Sequence, residues 1–217
     1  MRLRGKNQLH GKFFENLVKD TYLHGKEDGV KAIDAFDIKS CSETGGVPVS
    51  VKMTKTGTIG LADACRIFMI EHDFKMIVAR YKQEGEMKVV TEIIEFNITG
   101  EEWRNIKGDI PNELIFEFRE CIKMFPSGSH EEARKYASSS RQFVSNNFNS
   151  KIALCPKIDS KNQRRLQCSI GIETLKKSVK NWYCYNKYST GNYRGLVLPF
   201  SFFSPTRKLR KKEKVAA

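Results

Sequence analysis

Apolar and polar positions alternate along this chain in two rhythms, one of helical period and one of period two. Phe14, Leu17, Val18 and Tyr22 recur at helical spacing in LHGKFFENLVKDTYL. They predict an amphipathic helix capped by Asn7 and ended by Gly25. VKAIDAFDIK, after Gly29, is a strand candidate that carries Asp34 and Asp37. Beyond the Gly45-Gly46 turn, Val49, Val51 and Met53 alternate with Ser50, Lys52 and Thr54. That period puts the apolar trio on one face of a strand at 48–54 and the polar trio on the other. Thr58 is then read as the cap of a helix over IGLADACRIFMIEHD, with Ile59, Ala62, Ile67 and Ile70 in part periodic and Asp63 inside it. FKMIVARY and MKVVTEIIEFNI predict two strands of a β-hairpin whose loop contains Gly85.

This order, helix–strand–strand–helix–strand–strand, predicts an α/β sandwich core in residues 1–100. Residues 101–150 read as mostly helical, starting at Gly100-Glu101-Glu102-Trp103, at Asn112 and after Pro126, with Ser138–Ser140 weakening the last helix. Residues 151–205 change character. KIALCPKID and RLQCSIGIETL predict strands around the polar connection DSKNQRR, and a tyrosine-rich stretch and LVLPFSFFS follow. Residues 206–217 read as a disordered basic tail.

Charge sharpens this division. Of the 217 residues, 38 are Lys or Arg and 25 Asp or Glu, for a net charge of +13. Residues 1–150 hold 22 of each sign, whereas residues 151–217 hold 16 basic and 3 acidic ones, so the whole excess lies in the last third. A focused basic region is the electrostatic footprint of a polyanion partner. Lys161, Asn162, Gln163, Arg164, Arg165 and Gln167 are candidates for base contacts, because Arg pairs with guanine and Asn or Gln with adenine in the major groove. Lys157, Lys176, Lys177 and Lys180 are candidates for phosphates. Trp182, Tyr183, Tyr185, Tyr188 and Tyr193 offer rings for stacking on bases, although most are expected to pack a small core.

Several classes drop out. No apolar run approaches the roughly 20 residues of a membrane span, and the opening MRLRGKNQLHGK lacks an apolar signal-peptide core. The six cysteines contain no CxxC and read as free thiols of a reducing compartment. The histidines lack zinc-hydrolase spacing, and there is no Walker-type phosphate loop. A cytoplasmic protein is expected, or a nuclear one in a eukaryotic host.

The remaining chemistry centres on Asp37 and Lys52, fifteen positions apart on adjacent strand candidates. Phosphodiester cleavage needs carboxylates around Mg²⁺, a positioned water and a cation near the developing negative charge. Asp37 and Lys52 can supply two of these parts, with Asp34 as the rival of Asp37. A helix carrying Glu15, a strand Asp, a turn, and a strand ending in x-Lys before a helix resemble the PD-(D/E)XK nuclease superfamily across residues 7–98. The resemblance implies a central mixed β-sheet flanked by helices and Mg²⁺-dependent cleavage of double-stranded DNA. It implies Asp37 as metal ligand, Lys52 as the catalytic lysine and Glu15 as the helical acid. Ser50 stands where the family has Asp or Glu. Some restriction endonucleases of this superfamily read Ser-x-Lys and recruit an acid from the following helix. Here that acid is Asp63, eleven residues after Lys52 and preferred to Glu71; failing both, the site is inactive or uses Glu15. The resemblance is greatest to a type II restriction endonuclease, for which a palindromic site implies a homodimer. A structure-selective or repair nuclease, or a non-catalytic nucleic-acid-binding protein, are the alternatives.

Overall fold

The computed structural model describes residues 14, 17, 49–159, 163–189, 191–193 and 195–204. The expected first helix (of which only Phe14 and Leu17 are described, both helical), the strand carrying Asp34 and Asp37, Glu15, Lys161, Asn162 and the basic tail lie outside them.

The chain forms an α/β fold with a mixed central sheet flanked by helices. β1 (Val49–Thr54) runs parallel to β3 (Phe74–Glu84), which forms the expected hairpin with β4 (Met87–Ile98). β7 (Asn181–Asn186) and β10 (Phe200–Phe203) both pair antiparallel with β4 along different stretches of it. A second sheet has the order β2-β6-β5, from β2 (Thr58–Asp63), β6 (Arg164–Gly171) and β5 (Ala153–Ile158), all antiparallel. A small ribbon, β8 (Asn192–Tyr193) with β9 (Leu196–Val197), completes the strands. Both larger sheets take strands from either side of residue 150.

Among the described residues from 49 onward, five helices form: α1 (Ala64–Phe68), α2 (Gly100–Lys107), α3 (Asn112–Met124), α4 (His130–Asn147) and α5 (Ile172–Ser178). α2 begins on a capping box between Thr99 and Glu102, which satisfies two backbone donors. α3 starts at Asn112, but Pro111 occupies its cap position and makes no side-chain cap bond. α4 runs unbroken through Ser138–Ser140, because Ala133, Ala137 and Val144 anchor one side of it in the core. Among the described residues no helix is long and apolar enough to cross a membrane.

Two expectations are corrected here. The strand expected over RLQCSIGIETL ends at Gly171, and Ile172–Leu175 belong to the helix α5. Residues 58–63 are not helical; they form β2 in the second sheet, and the helix occupies only Ala64–Phe68. Ile59 and Leu61 alternate with the exposed Gly60, and both apolar side chains are buried against β6, where Ile59 faces Ile170 and Leu61 faces Cys168. A glycine at position 60 weakens a helix, while sheet pairing satisfies the backbone and buries the apolar pair.

The central sheet separates two cores. Met76, Val78, Ile94 and Phe96 join α1, α2, α3 and the second sheet in the larger one. Ile77, Ala79, Val90 and Ile93 meet Val49, Phe14, Tyr193, Leu198 and Phe202 in the smaller one, with Val51 and Met53 packed against it. Ser50, Lys52 and Thr54 therefore point to the face of the larger core, as period two requires.

Candidate active site

β1 sets the position of the lysine. Its register places Ser50 beside Met76, Lys52 beside Val78 and Thr54 beside Arg80. Lys52 is half-buried on this face. Ser50 is 1 % exposed, and its hydroxyl has no hydrogen-bond partner. Such a buried orphan costs about 1–3 kcal/mol, so its position next to Lys52 calls for a polar ligand or a water.

The turn after β1 brings the second acid back. Thr54 Oγ1 donates to the Thr58 carbonyl at 2.7 Å and accepts from Thr56 N at 3.3 Å. Gly57, with φ +82°, makes the reversal, and its carbonyl accepts from Ile172 N at 2.8 Å. β2 then runs to Asp63, which is the N-cap of α1 rather than a residue inside a helix. One carboxylate oxygen accepts from Cys65 N at 3.0 Å; the other lies 3.8 Å from the Arg119 guanidinium of α3.

Two buried thiols report where these charges fall. Burial pushes the Cys65 thiol up to about 11, with Arg119 opposing and Asp63 reinforcing the rise. Burial also pushes the Cys168 thiol far up; Cys155 and Asp63 add to the rise, while the Lys52 ammonium opposes it. The Thr54–Thr58 bond ties β1 to the start of β2, and β2 pairs with β6 at Leu61–Cys168 and Asp63–Gln167.

Among the described candidate residues the oxygen donors are the Asp63 carboxylate, which already accepts from Cys65 N and lies near Arg119, and the Ser50 hydroxyl. Mg²⁺ takes oxygen ligands and keeps several waters, so one or two carboxylates suffice. The donor types fit that ion. Among the described residues no three His, Cys, Asp or Glu side chains gather in a metal-binding group. Asp37, the other expected ligand, lies outside them, as does Glu15.

The candidate DNA contacts separate into two groups. Lys157 faces Arg165 across β5 and β6, and both are exposed. Gln167, on the same side of β6 as Arg165, is the register partner of Asp63. Arg164 turns back on its own hairpin: Nη1 donates to the Asp159 and Gln163 carbonyls, each at 3.3 Å, and Nε and Nη2 are buried without partners. It shapes the loop that Gln163 N also closes through Asp159 Oδ1 at 3.0 Å. On α5 and after it, Lys177 and Lys180 are exposed, while Lys176 pairs with Glu173 at 3.2 Å and lies 5.2 Å from the Trp182 ring centre.

Arg119 is the site residue that the sequence reading missed. It sits 56 positions after Asp63 (119 − 63), inside a helix rich in charges, and no spacing rule connects the two. Comparison of the chain with protein-family models, with curated proteins and with solved structures gives no match.

Proposed function

We propose that this chain is a Mg²⁺-dependent endonuclease that hydrolyses phosphodiester bonds in double-stranded DNA, on a restriction-endonuclease-like sheet. The observation that carries the reading is that Lys52 shares one face of β1 with the orphaned Ser50 hydroxyl, and that β2, which follows the turn, ends on Asp63. Lys52 supplies a cation for the negative charge that builds on the phosphate. Asp63 supplies a carboxylate that Arg119 and the Cys65 backbone amide hold in place. Ser50 offers its hydroxyl to a water or to the ion's shell. Asp37 completes the proposed ligand set, and Glu15 is the further acid. Bound Mg²⁺ acts there as a Lewis acid and lowers the pKa of a coordinated water. The basic face with Lys157, Arg165 and Gln167 leads to Asp63 and is suited to a DNA backbone and base edges. A type II site-specific enzyme is the particular form proposed, with two copies of the chain cutting the two strands of a symmetric site.

The test is incubation of the full chain with plasmid DNA, in Mg²⁺ or in EDTA. Cleavage is expected in Mg²⁺ only, with discrete fragments for a site-specific enzyme. Lys52→Ala and Asp63→Asn should each lower the rate by at least about 10²-fold, the scale for losing one charge-stabilising group, and should still bind DNA. Cleavage at the wild-type rate by Lys52→Ala refutes the site. Binding without cleavage under all conditions leaves a non-catalytic nucleic-acid-binding protein.

A further inference from the structure

On the Lys52 face, the central sheet continues past β1 into a basic cavity of about 330 Å³, which includes Lys55, Arg80, Lys82, Glu92, Asn186 and Tyr188 in its lining. Registers Thr54↔Arg80, Arg80↔Glu92 and Glu92↔Asn186 form one row across four strands. Of the lining side chains, Lys55, Arg80 and Lys82 are cationic and Glu92 is anionic. Arg80 Nη1 pairs with Glu92 Oε2 at 3.2 Å, which fixes the guanidinium while its side chain stays 44 % exposed. Lys55 and Lys82 are exposed.

Tyr188 adds a ring to the charges. It is 85 % exposed, which is unusual for so large an apolar body. Yet its backbone is tightly held. Asn186 Oδ1 accepts from Tyr188 N at 2.8 Å and from Ser189 N at 3.1 Å, and the Asn186 carbonyl accepts from Gly191 N at 2.9 Å. The Lys187 amine lies 4.6 Å from the ring centre. A presented aromatic ring beside lysines is the combination that takes a nucleotide: the cations meet the phosphate and the ring meets the base.

We propose that this cavity binds the strand whose phosphate Lys52 serves, with Lys55, Arg80 and Lys82 on backbone phosphates and Tyr188 stacked on a base where that strand leaves the duplex. The placement rests on the nuclease reading; the nucleic-acid contact itself does not. Lys52 is beside Val78, and Arg80 stands two residues further along β3. One strand spacing of about 4.8 Å and two rises of about 3.3 Å put their backbones ~8 Å apart. That places Arg80 within side-chain reach of a phosphate neighbouring the one Lys52 serves.

The experiment measures binding of the full chain to labelled oligonucleotides in EDTA by fluorescence anisotropy, over a range of salt. The substrates are a blunt duplex, the same duplex with a single-stranded overhang, and the single strand. The double variant Lys55→Gln/Lys82→Gln is expected to bind all three about 10-fold or more weakly. Its slope of log affinity against log salt should fall by about 1.4–1.8, the release expected for two phosphates. Tyr188→Ala should weaken binding of the overhang and the single strand about 10-fold and leave the blunt duplex within about 2-fold; Tyr188→Phe should bind like wild type. All three side chains are on the surface, and circular dichroism verifies the fold. Unchanged affinity and salt slope in the double variant, or equal loss by Tyr188→Ala on all three substrates, overturns the proposal. Plasmid cleavage is scored in parallel. Cleavage with unaffected binding removes this cavity and keeps the nuclease; affected binding without any cleavage removes the nuclease and keeps the nucleic-acid site.

Discussion

Replacing Lys107 by methionine tests how the fold holds the helix that Asp63 caps. α1 has five residues, too few to be stable alone. Met69 N and Ile70 N reach only the Cys65 and Ile67 carbonyls, at 3.3 and 3.4 Å, so the end of the helix needs donors from elsewhere. α2 supplies them from one side: Trp103 Nε1 donates to the Ile67 carbonyl at 3.2 Å, and Lys107 Nζ donates to those of Phe68 at 2.6 Å and Ile70 at 2.8 Å. Trp103 and Lys107 are four residues apart and share one face of α2. Lys107 is 7 % exposed. Methionine keeps most of the unbranched stem and removes the three-donor head.

Two carbonyls then stay buried without that partner, at about 1–3 kcal/mol each. Against this, the variant no longer has to desolvate an ammonium. Burial is the main reason why the Lys107 pKa is lowered, with Glu71 opposing the fall. The expected net loss is about 2–4 kcal/mol. With an m-value of about 2–3 kcal/mol/M, the urea midpoint should fall by roughly 1 M at constant m, as read by circular dichroism.

The pH dependence has a definite sign. The folded pKa lies below the unfolded one, so between them the unfolded chain binds more protons and stability rises with pH. The stability gap between wild type and Lys107→Met should widen as pH increases from the lowered folded pKa towards about 10.4, then stay constant. A midpoint shift under about 0.3 M, or a gap that narrows over that range, refutes the reasoning.

The thiols give an opposite trend. Burial raises Cys65 and Cys184 to about 11 and raises Cys168 as well. In each the folded state keeps a proton that the unfolded chain releases, so the stability due to the neutral thiols is full below about pH 8.5. It should be lost as pH rises to about 11, and Cys65→Ala and Cys168→Ala should each flatten that loss in urea titrations at fixed pH. A profile that Cys168→Ala leaves unaltered would contradict the burial of that thiol. Gly108→Ala should lower the thermal midpoint by roughly 5 °C or more. Gly108 has φ +72°, and an added methyl would collide with the Asn149 carbonyl. That corresponds to at least about 1.3–2.5 kcal/mol at 2–4 °C per kcal/mol; a shift below 2 °C by scanning fluorimetry argues that this connection gives way.

The parts of the fold that were legible share one property: their pattern is local and has one interpretation. The 74–98 hairpin alternates over two long runs around Gly85, and both strands form as expected. β2 had two interpretations. Ile59, Ala62, Ile67 and Ile70 partly fit a helix, whereas Ile59 and Leu61 fit a strand. The deciding partner, β6, lies more than 100 residues downstream, at Ile170 and Cys168. Local propensity cannot weigh such a pairing. The Ser138–Ser140 run misleads in the same way, because the tertiary contacts of Ala133, Ala137 and Val144 outweigh its weak helical preference.

The candidate site follows the same division. Lys52 and its face were readable from the alternation of Val49, Val51 and Met53. Asp63 was readable as a residue and not as a position: it was expected on a helix, and it lies at the end of a sheet strand, held by a cap bond and by Arg119. What sets Asp63 in place is β6, which comes from the last third of the chain and pairs with β2 at Cys168 and Gln167. β6 carries Cys168 towards the core and, on alternate residues, Arg165 and Gln167 away from it. The same strand therefore couples the proposed cutting residues to the proposed DNA-facing ones. That coupling makes the basic charge of residues 151–217 part of the site's architecture, and it is why substitutions at Arg165 or Gln167 bear on the placement of Asp63 as well as on binding.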